Sequence, residues 1–314
     1  MLRTSPDRLE DIKLCMTIGI RSVLAISFQA YRKLTNKLIN CHIMVPWYHY
    51  QPPADLRQMK LSNKTILITG ASSGIGRKTA ELLSHENNQI VITARRIELL
   101  NDLAATIKSN GSKSLVFACN ALDEESAEDC VQKAVEAFGS IDVALFNIGD
   151  GPAFNMAEAT AKAVKFNMQV NYDSMVNFLV PVIQHMKTQQ NGTIAHTNSL
   201  AGFLGLPMQG PYSAAKAAGR ILLDSCRIEL EQFNIKVVSL YPGFVATDRI
   251  KNDGIPHPFE ISEERAALEI IKGIEKGKPD HLFPSSLKYL IKLANLLPKA
   301  ALTQILRKSI PKDY

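Results

Sequence analysis

Tyr212 and Lys216 stand four residues apart in the Ala-rich stretch 210–219. On a helix, residues i and i+4 share a face, so the phenol and the ammonium can approach one point. That pairing has a chemical use. A free tyrosine titrates near roughly 10 and carries few protons at neutral pH. A fixed cation beside it favours the phenolate and moves it toward the working range of an acid–base group. Ser199 lies upstream, just past the run Thr193 to Ala195, which reads as a strand. A hydroxyl at the carboxyl end of a strand can face a helix that begins after the next loop. A YxxxK spacing also occurs in ordinary helices, so the rest of the chain has to support it.

A second stretch with chemical potential is Gly70-Ala71-Ser72-Ser73-Gly74-Ile75-Gly76. It follows a β-rich run over 64–69 and precedes a helical pattern that reaches about Ser84. A strand, a glycine-rich turn and a helix start make a cradle for a pyrophosphate. The glycines let the backbone come close, and the helix N-terminus supplies N–H donors and positive dipole. The spacing is GxxxGxG, not GxGxxG. The next strand, over 89–93, runs into Ala94-Arg95-Arg96. An acid at that place would bond the ribose 2′-OH of NAD; two guanidiniums suit the 2′-phosphate of NADP. NADP(H) is therefore expected in preference to NAD(H).

These residues need a scaffold that gathers them. Helical patterns cover 97–109 and 124–138, strands cover 114–118 and 143–147, and a long helix is expected over 159–186. Strands follow at 237–241 and 281–283. Regular alternation of this kind predicts an α/β fold, a doubly wound parallel sheet of Rossmann-like type. Ligands of such sheets sit beyond the carboxyl ends of the strands. The glycine loop, Arg95, Asn120, Asn147, Ser199 and Pro242-Gly243 all follow predicted strands, so they should share one rim.

Taken together, these residues resemble the short-chain dehydrogenase/reductase family over about 62–285. Thr69 to Gly76 is similar to the family's TGxxxGxG, and Phe146-Asn147-Ile148-Gly149 takes the place of NNAG. Asn171 matches the family's helix asparagine, and Ser199, Tyr212 and Lys216 match its Ser and YxxxK. Pro242-Gly243, Val245 and Thr247 resemble its PG…T segment. The resemblance implies hydride transfer between a nicotinamide and a carbonyl or alcohol carbon. It assigns catalysis to Ser199, Tyr212, Lys216 and Asn171. It assigns cofactor contacts to Gly70, Ser72, Ser73, Gly74, Ile75, Gly76, Arg95, Arg96, Asn120, Ala121, Asn147, Gly149, Tyr212, Lys216, Pro242, Gly243, Val245 and Thr247. It also implies a homodimer or homotetramer. Three departures stand out: Phe146 and Ile148 replace an Asn and an Ala, and Asn120 stands where the family often has Asp.

Composition bounds the rest. The chain has 314 residues, 46% hydrophobic and 21% charged, an ordinary globular balance. The rival to an enzyme is a cofactor-binding scaffold without turnover. Five scattered cysteines lack ligand spacing, so no metal site is expected and a reducing, cytoplasmic setting fits. The net charge of +6 is concentrated toward the C-terminus, without a recognition-helix or stacking pattern, so nucleic acid is not an expected partner. Apolar side chains at 244, 250, 255 and 259, with Leu204, Leu206 and Met208, favour a hydrophobic substrate. His257 reads as a surface residue.

Residues 1–60 form an N-terminal extension. Its apolar run over 12–28 is interrupted by Arg21, leaving interfacial association, spanning and packing on the protein all open. The Rossmann-like domain is expected over 61–285. Basic amphipathic helices are expected over 286–314, packed on the domain or on a subunit partner, with an interfacial position on an acidic membrane as the alternative. The membrane-associated alternative is a lipid, steroid or 3-ketoacyl-type reductase.

Overall fold

The computed structural model describes residues 60–248, 257–307 and 310. The readings of the N-terminal extension and of Ile250 and Ile255 fall outside the described residues.

Seven parallel strands form one sheet: β1 (Thr65–Thr69), β2 (Gln89–Ala94), β3 (Lys113–Ala118), β4 (Val143–Phe146), β5 (Gly192–Thr197), β6 (Ile235–Pro242) and β7 (Asp280–Phe283). Their order is 3-2-1-4-5-6-7. The inner strands are apolar on both faces because helices cover both. Leu67, Val91, Ala144, Ile194 and Val237 face one side, where α3 (Glu124–Phe138), α5 (Ser174–Gln189) and α6 (Gly210–Glu229) pack. Ile66, Ile68, Ile92, Leu145, Val238 and Leu240 face the other, against α1 (Gly74–Leu83), α2 (Ile97–Ser109) and α7 (Glu263–Lys276). The period of two along each strand sorts the two cores. The strand order reverses between β1 and β4, which opens a crevice at their carboxyl ends.

The long helix expected over 159–186 is not continuous. Thr160 caps α4 (Ala161–Met168) by accepting from the Ala163 amide at 3.2 Å. A π turn, Gln169–Asp173, then joins it to α5. One extra residue per turn swings Asn171 into the interior, where it is fully buried. The strand read over 193–195 extends to the whole of β5. Ser262 caps α7, accepting from the Arg265 amide, ahead of Glu263 and Glu264. The chain closes with α8 (Ser285–Ala294) and α9 (Lys299–Arg307). Among the described residues no helix is long and apolar enough to cross a membrane.

His196, inside β5, is fully buried, and neither ring nitrogen has a hydrogen-bond partner. Burial, then the nearby Lys216 cation, hold its pKa well below the usual value. The unfolded ring binds a proton below about pH 6.5, and the folded ring does not. The native state should therefore lose stability as the pH falls through that value, by up to about 1.4 kcal/mol per pH unit. Urea titrations at pH 7 and pH 5 should show a smaller loss for His196→Leu than for the parent. Parallel losses in the two proteins would refute this account.

Candidate active site

The glycine loop joins β1 to α1 at the crevice. Gly70 and Gly74 take left-handed backbone angles, φ +67° and +59°, that disfavour any side chain. Gly76 is required by space: a Cβ there would lie 2.5 Å from the Gly70 carbonyl oxygen and 2.7 Å from Asn147 Nδ2. Thr69 Oγ1 accepts from the Asn147 amide at 3.0 Å, which ties the end of β4 to the loop. Ser73, at the N-cap of α1, makes no side-chain cap bond, so its hydroxyl does not occupy the first-turn amides.

Arg96, not Arg95, reaches this loop. Its Nη2 donates to Ser72 Oγ at 2.9 Å and to Ser73 Oγ at 2.7 Å. Arg95 is exposed at the end of β2. Asn120 is also exposed and turns the chain after β3, accepting from the Leu122 amide through Oδ1. Ala121 is buried, and its carbonyl accepts from Asn177 Nδ2 at 3.0 Å.

On the other side of the crevice, the π turn and α6 bring Asn171, Lys216 and Tyr212 near one another, and Ser199 follows β5. Lys216 is only 2% exposed. Its Nζ donates to the Thr197 carbonyl at 3.1 Å and lies 5.7 Å from the centre of the Tyr212 ring. Asn171 Oδ1 accepts from the Asp150 amide at 2.9 Å, and its Nδ2 donates to the Asp150 carbonyl. Gly149 sits between them. A Cβ on Gly149 would be 2.8 Å from Asn171 Oδ1 and 3.0 Å from Lys216 Nζ, so both atoms converge on one small space. Ser199 is half-buried at the end of β5. It caps the short 3-10 turn Leu200–Phe203, its Oγ accepting from the Ala201 amide at 3.1 Å. A hydroxyl that accepts this bond keeps its own proton to donate.

Pro242 ends β6, and the Gly243 amide donates to the Phe283 carbonyl at 2.8 Å. Val245 pairs with Ile261 in an isolated bridge, which brings the following residues back over α1. The Thr247 methyl would lie 3.5 Å from a Cβ on Gly74. The PG…T segment and the glycine loop are therefore neighbours, although 170 residues separate them in sequence.

The sequence did not mark two asparagines that support this arrangement. Asn198 donates through Nδ2 to the Lys216 carbonyl at 3.0 Å and accepts from the Ser199 amide at 2.8 Å, linking β5 to α6. Asn167 donates to the Asp150 carbonyl and accepts from Asn171 Nδ2. Its i, i+4 spacing from Asn171 was the available signal. His257 is half-buried, its ring 5.0 Å from that of Phe244 and its Nδ1 3.4 Å from Glu260 Oε2.

Residues 64–255 match the family described as short chain dehydrogenase. The chain is a short-chain dehydrogenase/reductase. As members of this family do, it has a Rossmann-like sheet and a site for NAD(P)(H), and it is an oxidoreductase. It is 32% identical to the 3-oxoacyl-acyl-carrier-protein reductase FabG of Thermotoga maritima over 227 residues, 71% of this chain and 89% of that one. It is 30% identical to a 3-ketodihydrosphingosine reductase of Bacteroides thetaiotaomicron over 224 residues, 71% and 80% of the two chains. The fold matches that of a short-chain dehydrogenase/reductase from Mycobacterium marinum with a TM-score of 0.67 and 24% identity, covering 72% of this chain and 96% of that one.

Proposed function

We propose that this short-chain dehydrogenase/reductase interconverts a hydrophobic carbonyl compound and its secondary alcohol with NADP(H), using Ser199, Tyr212, Lys216 and Asn171. The observation that carries this reading is the convergence of Asn171 Oδ1 and Lys216 Nζ at Gly149, with Tyr212 on the same face of α6.

The crevice fits a dinucleotide. Gly76 has no room for a side chain, so the loop closes tightly on Asn147, and the first turn of α1 offers amides to a pyrophosphate. Gly70, Ser72, Ser73, Gly74, Ile75 and Gly76 would hold the phosphates. Asn147, Gly149, Lys216, Pro242, Gly243, Val245 and Thr247 would line the nicotinamide end, and Asn120 and Ala121 the adenine end. When bound, the nicotinamide supplies the hydride chemistry.

The chain's own groups supply the proton and the electrostatics. Ser199 donates its hydroxyl proton in a hydrogen bond to the substrate oxygen, where negative charge develops during reduction. Tyr212 gives its proton to that oxygen, or takes one from an alcohol in the reverse direction. The Lys216 cation stabilises the negative charge left on the Tyr212 oxygen. Asn171 holds the backbone of Asp150 and positions a water next to Lys216, connecting the proton path to solvent.

Arg96 supports the choice of NADP(H). Its guanidinium stands over the two loop serines at the end of β2, where a 2′-phosphate would meet it. Arg95 adds positive charge from the exposed side. Charge-assisted hydrogen bonds contribute about 1.5–3 kcal/mol. Arg96→Ala should therefore raise the KM for NADPH about tenfold to a hundredfold and change that for NADH much less. Equal weakening of both cofactors would reduce Arg96 to a support for the loop.

Apolar side chains around the mouth support the substrate class. Met208, Leu204, Leu206 and Phe244 are half-buried there, and the Phe154 amide donates to the Met208 carbonyl at 2.8 Å. The two named relatives are by name reductases of a 3-oxoacyl-acyl-carrier-protein and of 3-ketodihydrosphingosine, which fits reduction of a carbonyl. Exposed Ile221 and Ile228 on α6, seven residues apart on one face, and Val180 on α5 favour a homodimer or homotetramer through these helices. The test of the whole reading is a screen of NADPH oxidation and NADP reduction, run beside NADH and NAD, over hydrophobic ketones and secondary alcohols. Binding of NADPH without turnover on any member would instead favour a scaffold.

A further inference from the structure

We propose that α8 and the turn that follows it dock on an anionic phospholipid surface. The helix carries apolar residues on two separate faces. Leu287 and Ile291 face inward and pack on Leu200 and Tyr241. Tyr289, Leu293 and Leu296 follow one another at helical spacing on a different face, with Leu290 beside them. That second face has no partner among the described residues. Tyr289 is 67% exposed, Leu290 52%, Leu293 59% and Leu296 80%. An apolar ridge of this size on a short surface helix marks an interaction site.

Charge selects the occupant. From Ser285 to Arg307 the charged residues are Lys288, Lys292, Lys299 and Arg307, with no Asp or Glu among them. A second copy docked on this face would bring like charges together. An anionic bilayer attracts them instead. Lys288 and Lys292 flank the ridge, and the Lys288 ammonium lies 5.8 Å from the centre of the Tyr289 ring. Beside them opens a pocket of about 220 Å³ lined by Phe203, Leu282 and Ile291 together with Lys288, Lys292 and Asn295. Asp280 also lines it, and Arg227 Nη2 approaches its carboxylate to 3.8 Å. Two ammonium groups and an amide beside apolar side chains suit a lipid phosphate.

The helix is about 15 Å long, too short to span a bilayer, so it would lie in the interface. The contact would also lie close to the crevice. Leu287, on the inner face of α8, stands directly against Gly243.

Flotation of the full-length protein with vesicles tests this. It should rise with phosphatidylcholine–phosphatidylserine vesicles and remain below with phosphatidylcholine alone. Lys288→Glu with Lys292→Glu should weaken the binding about thirtyfold or more, and added salt should weaken the parent in the same way. Leu290→Ser with Leu293→Ser should weaken it about tenfold or more at low salt. All four side chains reach solvent, so the parent's melting temperature should be kept. If either double variant is unfolded, the other decides. Either folded double variant floating like the parent would overturn the proposal. So would a leucine variant that still floats but has lost an oligomer on sedimentation, since the ridge would then belong to a second copy.

Discussion

Tyr212→Phe is expected to lower turnover about a thousandfold and to leave NADPH binding close to that of the parent. Positioned acid–base groups contribute about 10²–10⁴ in rate, and the mutation removes the only atom of Tyr212 able to carry a proton. Nothing described nearby can replace it. His196 is sealed beneath α6 on the sheet face. His281 is paired with Glu269 at 2.9 Å, and burial, opposed by that bond, lowers its pKa. His257 leans on Phe244. The ring of Tyr212 is kept in the Phe variant, so the packing of α6 and the place of Lys216 should persist. Fluorescence titration with NADPH, single-turnover kinetics and a melting curve separate the possible outcomes. Retained turnover would sink the assignment of Tyr212. Loss of NADPH binding together with turnover would make Tyr212 a structural prop of the crevice.

Much of this frame could be read from the chain because its signals are local and repeated. Each β-rich run followed by a helical period fixes one strand and one helix, and parallel order follows from the alternation. The glycine loop was equally legible, since Gly70, Gly74 and Gly76 answer to backbone angle and close approach, which no other residue satisfies. The π turn at Asn171 was not legible. It shifts the helix register by one residue without any break in helix-forming sequence, and tertiary contacts to Asp150 select it. The two arginines after β2 could not be ranked either. Which of two adjacent side chains meets Ser72 and Ser73 depends on the direction of the chain as it enters α2. The partnerless nitrogens of His196 and the bare face of α8 share a different cause. Both are facts about what is missing around a residue among the described residues, and they emerge only from the folded arrangement of those residues.

Lys216→Met should also reduce turnover strongly, by about a hundredfold or more, but with a different signature. Met keeps much of the volume of the buried stem and removes the charge. Three consequences follow from the one ammonium. The Thr197 carbonyl loses its donor, which costs about 1–3 kcal/mol of stability. The Tyr212 oxygen loses the cation that stabilises its charged state, which slows proton transfer. On the proposed reading Lys216 would also line the nicotinamide end of the cofactor site, so the KM for NADPH should rise, unlike in Tyr212→Phe. His196 provides an internal reporter. Lys216 is one of the two causes of its depressed pKa, so removing the cation should move that pKa upward even though burial remains. In that variant the loss of stability on acidification should be smaller than in the parent, because the folded ring resists its proton less. Unchanged turnover with an unchanged KM would remove Lys216 from the site. A loss of turnover with no change in KM would confine it to the proton path and leave the cofactor to be held by other groups.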